Sequence, residues 1–167
     1  KNKDYLNSFI KKDKRKICSL ILGGPTKYYE YSSKNLENIF SILNELLKKN
    51  YFQLVVIPSM RTPKDTIDYA TEYFGGNHTI INNVDKKAYL SALSKSECLV
   101  ITCDSSSMIS EAAVTGKPVY MAMMKPKKSI RRFKSFYSQF KSLGIAKELT
   151  GTIDNWSYDK LAEVNRI

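Results

Sequence analysis

The chain has 167 residues, of which 43% are apolar and 26% are charged, and its net charge is +11. This length predicts one domain, or half of a larger protein, whose core needs no disulfide or metal to be stable. No stretch approaches the roughly 20 apolar residues of a membrane span, and the first residues lack the apolar segment of a signal peptide. We therefore expect a cytoplasmic protein and, because an initiator Met is missing, a piece of a longer polypeptide.

Apolar runs and amphipathic stripes alternate along the sequence. Residues 17–22, for example, form a largely apolar run followed by two glycines, which is typical of a buried strand. The side chains of Leu36, Ile39 and Leu43 then recur at helical spacing, after two serines that can cap a helix. In chain order the predicted elements are strand 17–22, a helix from 32–33 to 48–50, strand 52–57, helix 64–74, strand 79–81, helix 85–95, strand 97–103, helix 106–115, strand 118–123 and helix 129–143.

Continuous apolar strands that alternate with helices are typical of a parallel sheet covered on both faces. We therefore predict a single Rossmann-like α/β domain over residues 1–167, with three layers and a parallel sheet in the middle. In such sheets, ligands bind beyond the carboxyl ends of the strands, where loops meet the starts of helices. This rule directs attention to the loops that follow the first, second and fourth predicted strands.

The loops after the first two strands contain groups that suit a phosphate. Gly23 and Gly24 let the backbone approach a ligand closely, and the N–H groups up to Thr26 and Lys27 can face an anion. Arg61 lies just before a predicted helix, where its guanidinium can bind a phosphate with two N–H groups. A structural tight turn at the glycines and a solvated surface arginine are the alternatives.

The loop after the fourth predicted strand is the most informative. Asp104, Ser105, Ser106 and Ser107 lead into a helix start, which carries free N–H groups and the positive end of the helix dipole. Serine capping explains one of these residues but not Glu111, which lies too far along the helix for a capping box. A diphosphate at the helix start, with ribose hydroxyls at Glu111, accounts for the pattern and predicts a nucleotide site.

The sequence shows neither a catalytic triad nor a metal-binding motif. Catalytic residues are therefore left unassigned, and we expect no metal and no tightly bound cofactor. Cys18, Cys98 and Cys103 lie in largely apolar runs without metal-ligand spacing, so they are predicted to be buried thiols. The single histidine, His78, lies in a predicted turn far from the serine loop and is interpreted as a surface residue rather than a base.

The positive charge is concentrated in two segments. Residues 1–16 hold seven Lys or Arg and two Asp, whereas residues 125–134 hold six Lys or Arg and no acid. Such segments suit an anionic partner, and for 125–134 we consider a membrane surface or an acceptor substrate, although charge runs are more often solvated surface. The absence of RNP, KH and helix-turn-helix signatures argues against a nucleic-acid partner.

Two sequence blocks are specific enough for comparison with known families. These are DSSSMISEA at 104–112 and GKPVY at 116–120, and both resemble the mitochondrial-fission "elongated mitochondria" family. That family includes plant proteins and alpha-proteobacterial ones that are often labelled nucleoside-diphosphate-sugar epimerases. The chain departs from the family pattern at Met60, where the family has a basic residue, and near Tyr28 and Tyr29, where it has histidines. Further matching blocks are 23–27, 61–63, 132–133, 144–146, 150–151 and 156–158.

The resemblance implies a fold similar to the C-terminal, nucleotide-sugar-binding domain of GT-B glycosyltransferases. It also implies a second, N-terminal domain of the same protein as a partner, with this chain as the C-terminal half. The implied ligand is a nucleoside diphosphate or nucleotide-sugar, most simply of the UDP type. By the same resemblance, Glu111 holds the ribose and Arg61 a phosphate. The implied diphosphate contacts are Gly23, Gly24, Thr26, Ser105 and Ser106.

Two functions are open on this basis. The first is a nucleotide-sugar-binding domain of a GT-B-like glycosyltransferase or epimerase-like protein, which we expect to be inactive as an isolated fragment. The second is a non-enzymatic adaptor of the mitochondrial-fission type, which binds a membrane or protein partner through its basic surface. For both functions the expected localisation is the cytoplasm, with peripheral association with the inner membrane as the further option. Saturable binding of a nucleotide distinguishes the first from the second.

Overall fold

Six parallel strands form one sheet within residues 4–128 and 131–152, the part of the chain that the computed structural model describes. The spatial order of the strands is β3-β2-β1-β4-β5-β6, so the order reverses between β1 and β4. This is the strand order of a doubly wound Rossmann-type sheet, which confirms the predicted fold class. The strands are β1 Lys16–Ile21, β2 Phe52–Ile57, β3 Thr79–Ile80, β4 Cys98–Thr102, β5 Val119–Ala122 and β6 Ala146–Glu148.

Five α-helices connect the strands. A short 3-10 helix, Tyr5–Ser8, precedes β1 and was not expected from the sequence. The predicted helix over 129–143 is confirmed at residues 131–142, and residues 129–130 lie outside the described residues. The sequence block at 156–158, which matches the family, also lies outside them. The helices are α1 Ser33–Asn50, α2 Lys64–Phe74, α3 Lys86–Lys95, α4 Ser106–Ala113 and α5 Arg131–Ser142.

Side chains of both faces of the sheet are buried under helices, as continuous apolar strands require. On one face, Phe40 of α1 meets Phe74 of α2, with ring centroids 5.1 Å apart. On the other face, Ala88 and Ala92 of α3 pack with Leu6 of the 3-10 helix in a second apolar cluster. The three cysteines are buried and unpaired, as predicted from their apolar runs.

The register of the sheet brings three strand ends together. Ile21 of β1 is paired with Ile57 of β2 on one side and with Ile101 of β4 on the other. The residues that follow these strands therefore start from one level at the carboxyl edge of the sheet. Loops that are separated by tens of residues in the sequence become neighbours there, which is what a composite binding site needs.

His78 lies near β2, away from that edge, and the prediction of a surface turn residue is only partly correct. The imidazole is half-buried, and its Nδ1 accepts a hydrogen bond of 3.0 Å from the backbone N–H of Leu54. Burial first, and then the positive charge of Arg15, lowers the pKa of His78 from its ordinary 6.5 to about 4. His78 therefore accepts the hydrogen bond from β2 in its neutral form.

We predict that this neutral histidine makes the stability of the chain depend on pH. Because its pKa is lower in the folded state, its contribution is complete above pH 6.5 and is lost as the pH falls toward 4. The free energy of unfolding, measured with urea across this range, should fall more steeply for the natural chain than for His78→Gln. A second variant, His78→Asn, places its Oδ1 where Nδ1 accepts the N–H of Leu54 and does not titrate either. Slopes equal to that of the natural chain in both variants would contradict the assignment.

Candidate functional site

The candidate site lies at the carboxyl edge of the sheet, around the ends of β1, β2 and β4. Because β1 lies between β2 and β4, the loops at 23–24, 59–61 and 103–105 are adjacent. This is the point where the strand order reverses, at which open α/β sheets bind their ligands. Of the residues predicted from sequence, this edge brings together Gly23, Gly24, Arg61, Asp104, Ser105 and Ser107.

The carboxylate of Asp104 lies at the centre of these loops. One oxygen, Oδ2, accepts the N–H of Gly24 at 3.1 Å and pairs with a guanidinium nitrogen of Arg61 at 3.1 Å. The other, Oδ1, accepts the hydroxyl of Tyr31 at 2.5 Å. The Asp104 side chain has no exposed surface. Its hydrogen bonds therefore come from these three protein groups and not from bulk water. Asp104 was expected to contact a ligand, but the structure gives it the role of holding three loops together.

Gly23 lies against the carboxylate of Asp104 and Gly24 against Arg61, so neither position has room for a side chain. A Cβ atom on Gly23 would overlap the carboxylate of Asp104, and one on Gly24 would overlap the backbone carbonyl of Arg61. The carbonyl of Gly23 in turn accepts the hydroxyl of Thr62 at 2.6 Å. In the described structure, these positions are glycines because protein atoms come close to the backbone.

The N–H groups of 23–26 are already used within the protein. Gly23 donates to the Thr102 hydroxyl at 2.8 Å, Gly24 donates to Asp104, and Thr26 donates to the carbonyl of Tyr29 at 3.0 Å. Residue 25 is a proline and has no N–H. The structure thus corrects the expectation that these N–H groups face an anion.

Arg61 connects the buried carboxylate to the surface. Its Nη1 donates to the carbonyl of Gly24 at 3.0 Å, while Nη2 pairs with Asp104. The side chain is nevertheless 46% exposed. A guanidinium has five N–H groups in a fixed plane, so those that are not used here can bind a phosphate beside the loop.

The start of α4 is open on the same side. Ser105 occupies the N-cap position and is buried, but its side chain makes no capping hydrogen bond, so the capping interpretation is wrong for this residue. The first N–H groups of a helix have no partners within the helix, and together with the dipole they attract anions. Ser106 is half-buried and Ser107 is exposed beside them.

Glu111 lies one turn further along α4 and has a partner on α3. Its Oε1 accepts the hydroxyl of Tyr89 at 2.6 Å. Burial, followed by the hydrogen bond to Glu111, raises the pKa of the Tyr89 hydroxyl above its ordinary value. The hydroxyl therefore stays a donor to the carboxylate, which is exposed and keeps a second oxygen for a ligand.

Two small clefts join at this edge. One, of about 260 Å³, is lined by Arg61, Ser105 and Ser107. The other, of about 240 Å³, is lined by Glu111 and Tyr89, with apolar side chains around them. Both clefts include Ser59, Met60 and Met108, so they form one continuous surface. One end of this surface holds Arg61 and the start of α4, and the other end holds the carboxylate of Glu111, one turn along that helix.

Two residues predicted for the site do not join the Arg61–Asp104 group. The Thr26 hydroxyl accepts the N–H groups of Tyr28 and Tyr29 at 3.0 and 3.1 Å and so closes its own turn. Lys27 is exposed, and its ammonium lies 5.2 Å from the centre of the Tyr28 ring. No contact on the described part of the chain connects either side chain to the two clefts.

Sequence reasoning missed Tyr31 and Tyr89, which position Asp104 and Glu111. No pattern marks them, because Tyr31 lies 73 residues from Asp104 in the chain and Tyr89 lies 22 from Glu111. Among residues 4–128 and 131–152, no group of three or more His, Cys, Asp or Glu side chains is placed to hold a metal ion. Within the same residues, no helix has the length and apolarity to cross a membrane.

We predict that the Tyr31 hydroxyl stabilises the site and the fold. Tyr31→Phe leaves Asp104 with one donor fewer in a buried position, which should cost about 1–3 kcal/mol of unfolding free energy. Urea denaturation measures this loss. Tyr51→Phe, which removes a hydroxyl from a ring that is 64% exposed, should change the stability little. Equal effects of the two substitutions would show that the Tyr31–Asp104 contact has no special role.

Two curated proteins resemble the chain over most of its length. An uncharacterized protein of Rickettsia prowazekii (strain Madrid E) is 27% identical over 164 residues, covering 92% of this chain and 45% of that protein. The mitochondrial fission protein ELM1 of Arabidopsis thaliana is 29% identical over 126 residues, covering 72% of this chain and 29% of that protein. The chain therefore spans less than half the length of either relative.

Two solved structures of similar fold contain UDP-GlcNAc or UDP. UDP-GlcNAc 2-epimerase from Neisseria meningitidis, bound to UDP-GlcNAc, is similar with a TM-score of 0.55 and 17% identity, over 98% of this chain and 37% of that one. The S. aureus MnaA structure with UDP has a TM-score of 0.59 and 17% identity, over 91% and 35%. At such identities the likeness concerns the fold alone, and it confirms the predicted Rossmann-like fold of the GT-B type.

The family resemblance drawn from the serine loop and the GKPVY block is also confirmed. The model of a single protein family, described as Mitochondrial fission ELM1, matches residues 1–167. This match spans every loop of the candidate site. The chain belongs to the mitochondrial fission ELM1 family.

Proposed function

We propose that the chain is a nucleotide-sugar-binding domain of a GT-B-like glycosyltransferase or epimerase-like protein. The observation that supports this most is the continuous pair of clefts at the carboxyl edge. An arginine and a helix start lie at one end, and a carboxylate lies at the other. A nucleoside diphosphate has the matching arrangement, with anionic oxygens next to a ribose that carries hydroxyl groups.

In this proposal, the diphosphate lies at the start of α4. The N–H groups of Ser106 and Ser107 and the exposed part of Arg61 neutralise its charge, because cations and helix starts stabilise anions. The second oxygen of Glu111 accepts the ribose hydroxyls. Gly23 and Gly24 shape this surface through Asp104, rather than donating to the ligand themselves.

The base then lies beside the apolar side chains of the second cleft. Val84, Met108 and Met60 line it, and Met60 is 89% exposed, so a base ring placed there would cover its thioether. UDP is the first nucleotide to test, because two proteins of similar fold were solved with UDP-GlcNAc or UDP. No side chain of this chain is assigned to bond making or breaking, and we expect the chain alone to bind without turnover.

We also propose that transfer or epimerisation needs a second domain. The chain spans less than half of its curated relatives, and the clefts described here are open on one side. In a two-domain arrangement, the other domain would close over the nucleotide and supply the acceptor site. In this proposal, the second domain would determine the activity of the whole protein, its sugar and its acceptor.

An adaptor without enzymatic activity is the second candidate. The family's description as a mitochondrial fission family fits it. The internal use of the N–H groups at 23–26 also fits, because it removes the backbone donors expected for a diphosphate. A nucleotide titration separates the two candidates, since an adaptor has no need of saturable nucleotide binding.

We predict that Glu111→Ala weakens nucleotide binding about 10- to 100-fold, as the loss of a hydrogen bond to a charged group should. Calorimetric titration with UDP, GDP, ADP and CDP measures the affinity. The matched control is Glu72→Ala, which removes an exposed carboxylate from α2 and should leave binding unchanged. If the folded chain binds none of the four nucleotides saturably, the donor site is contradicted and the adaptor is favoured.

A further inference from the structure

A cationic surface lies next to the candidate site but outside it. Its side chains come from the segment between β5 and α5 and from the first turn of α5. No Asp or Glu occurs in the sequence between Glu111 and Glu148, so the segment itself contributes no acidic residue. In space, Lys125 shares a groove with Glu37 of α1. All five described members are exposed. We call them the α5 face, and they are Lys125, Lys127, Lys128, Arg131 and Lys134.

The aromatic side chains of α5 pack into the domain, which leaves the cationic side of the helix exposed. Phe140 is fully buried, and Tyr137 is buried with its hydroxyl 3.0 Å from that of Tyr29. The Tyr137 hydroxyl also donates to the carbonyl of Cys103 at the end of β4. The opposite side of the helix carries Arg131 and Lys134, which are three residues apart and so point the same way.

The segment before α5 is also fixed to the domain. The N–H of Lys127 donates to the carbonyl of Tyr28 at 2.6 Å, and Pro126 forms a bridge with Tyr29. The Tyr28 ring packs against the ring of Phe133, with centroids 5.3 Å apart. These contacts join the loop after β1 to α5, so the cations belong to one surface at the carboxyl edge.

The other basic segment lies at the opposite edge of the sheet. Lys11, Lys12 and Lys16 line a groove below the amino ends of the strands, together with Asp13 and Glu97. Arg15 there is paired with Asp13 at 2.9 Å. The net charge of the chain is therefore divided between two edges, of which only the α5 face lacks acidic neighbours in the sequence.

We propose that the α5 face docks on an anionic lipid bilayer. A bilayer attracts Lys and Arg without needing a shaped pocket, and each such residue near an anionic surface adds about 1 kcal/mol to binding. Single-stranded nucleic acid is favoured less, because it binds by stacking bases on exposed aromatic rings. The aromatic residues of α5 instead face the core, with Tyr137 and Phe140 buried.

Docking there would place the proposed nucleotide cleft near the membrane, because both lie at the carboxyl edge of the sheet. The proposal does not depend on nucleotide binding, since none of the five cations lines the two clefts. A variant of the face should therefore keep its nucleotide affinity.

The experiment is co-sedimentation of the chain with vesicles of phosphatidylcholine, with and without about one third phosphatidylglycerol. The test variant replaces Lys127, Lys128, Arg131 and Lys134 with Gln. Its partition coefficient on anionic vesicles should fall by more than about 100-fold, which corresponds to the loss of four cations. The control replaces Lys11, Lys12, Lys14 and Lys16 with Gln, removing the same charge from the opposite edge, and should bind within about fivefold of the natural chain.

Four results would overturn the proposal. The first two are binding of the natural chain to neither vesicle, and equal binding to both. Equal losses in the two variants would show attraction to net charge alone. Binding of an RNA oligomer that only the α5 variant loses, without vesicle binding, would reassign the face to nucleic acid. Because all the replaced side chains are exposed, circular dichroism should show that both variants fold.

Discussion

The buried carboxylate of Asp104 is the constraint on which the candidate site depends. An ionised group without exposed surface is tolerated only when hydrogen bonds and a counter-charge replace its lost water. Gly24, Tyr31 and Arg61 supply these, and each comes from a different position along the chain. The carboxylate thereby fixes the glycine loop, the segment before α1 and the loop after β2 in one arrangement.

This constraint also decides which groups are left for a ligand. The N–H groups of the glycine loop are directed into the protein, while the exposed part of Arg61 and the start of α4 are directed outward. In the proposed site, an anion would therefore be bound by the helix start and the guanidinium. Glu111, held by Tyr89, adds a hydroxyl-binding group one turn away.

Much of the fold could be predicted because burial imposes periodicity on the sequence. The apolar runs of β1, β2 and β4 and the stripe of α1 gave bounds within a few residues of the structure. The strand Ala146–Glu148 was missed because it is short and only its first residue is buried. Arg61, Ser105 and Glu111 could be predicted from their places after strands and along a helix. Tyr31 and Tyr89 could not, because only the tertiary fold brings them to their carboxylates.

The packing of α5 separates the stability of the domain from the charge on its surface. Its inner aromatic rings hold the helix to the end of β4, whereas its outer side chains make no described contribution to the core. Substitutions on the outer side can therefore accumulate without unfolding the domain. The charge of the α5 face can change in the same way without altering the two clefts, because none of its five cations lines them.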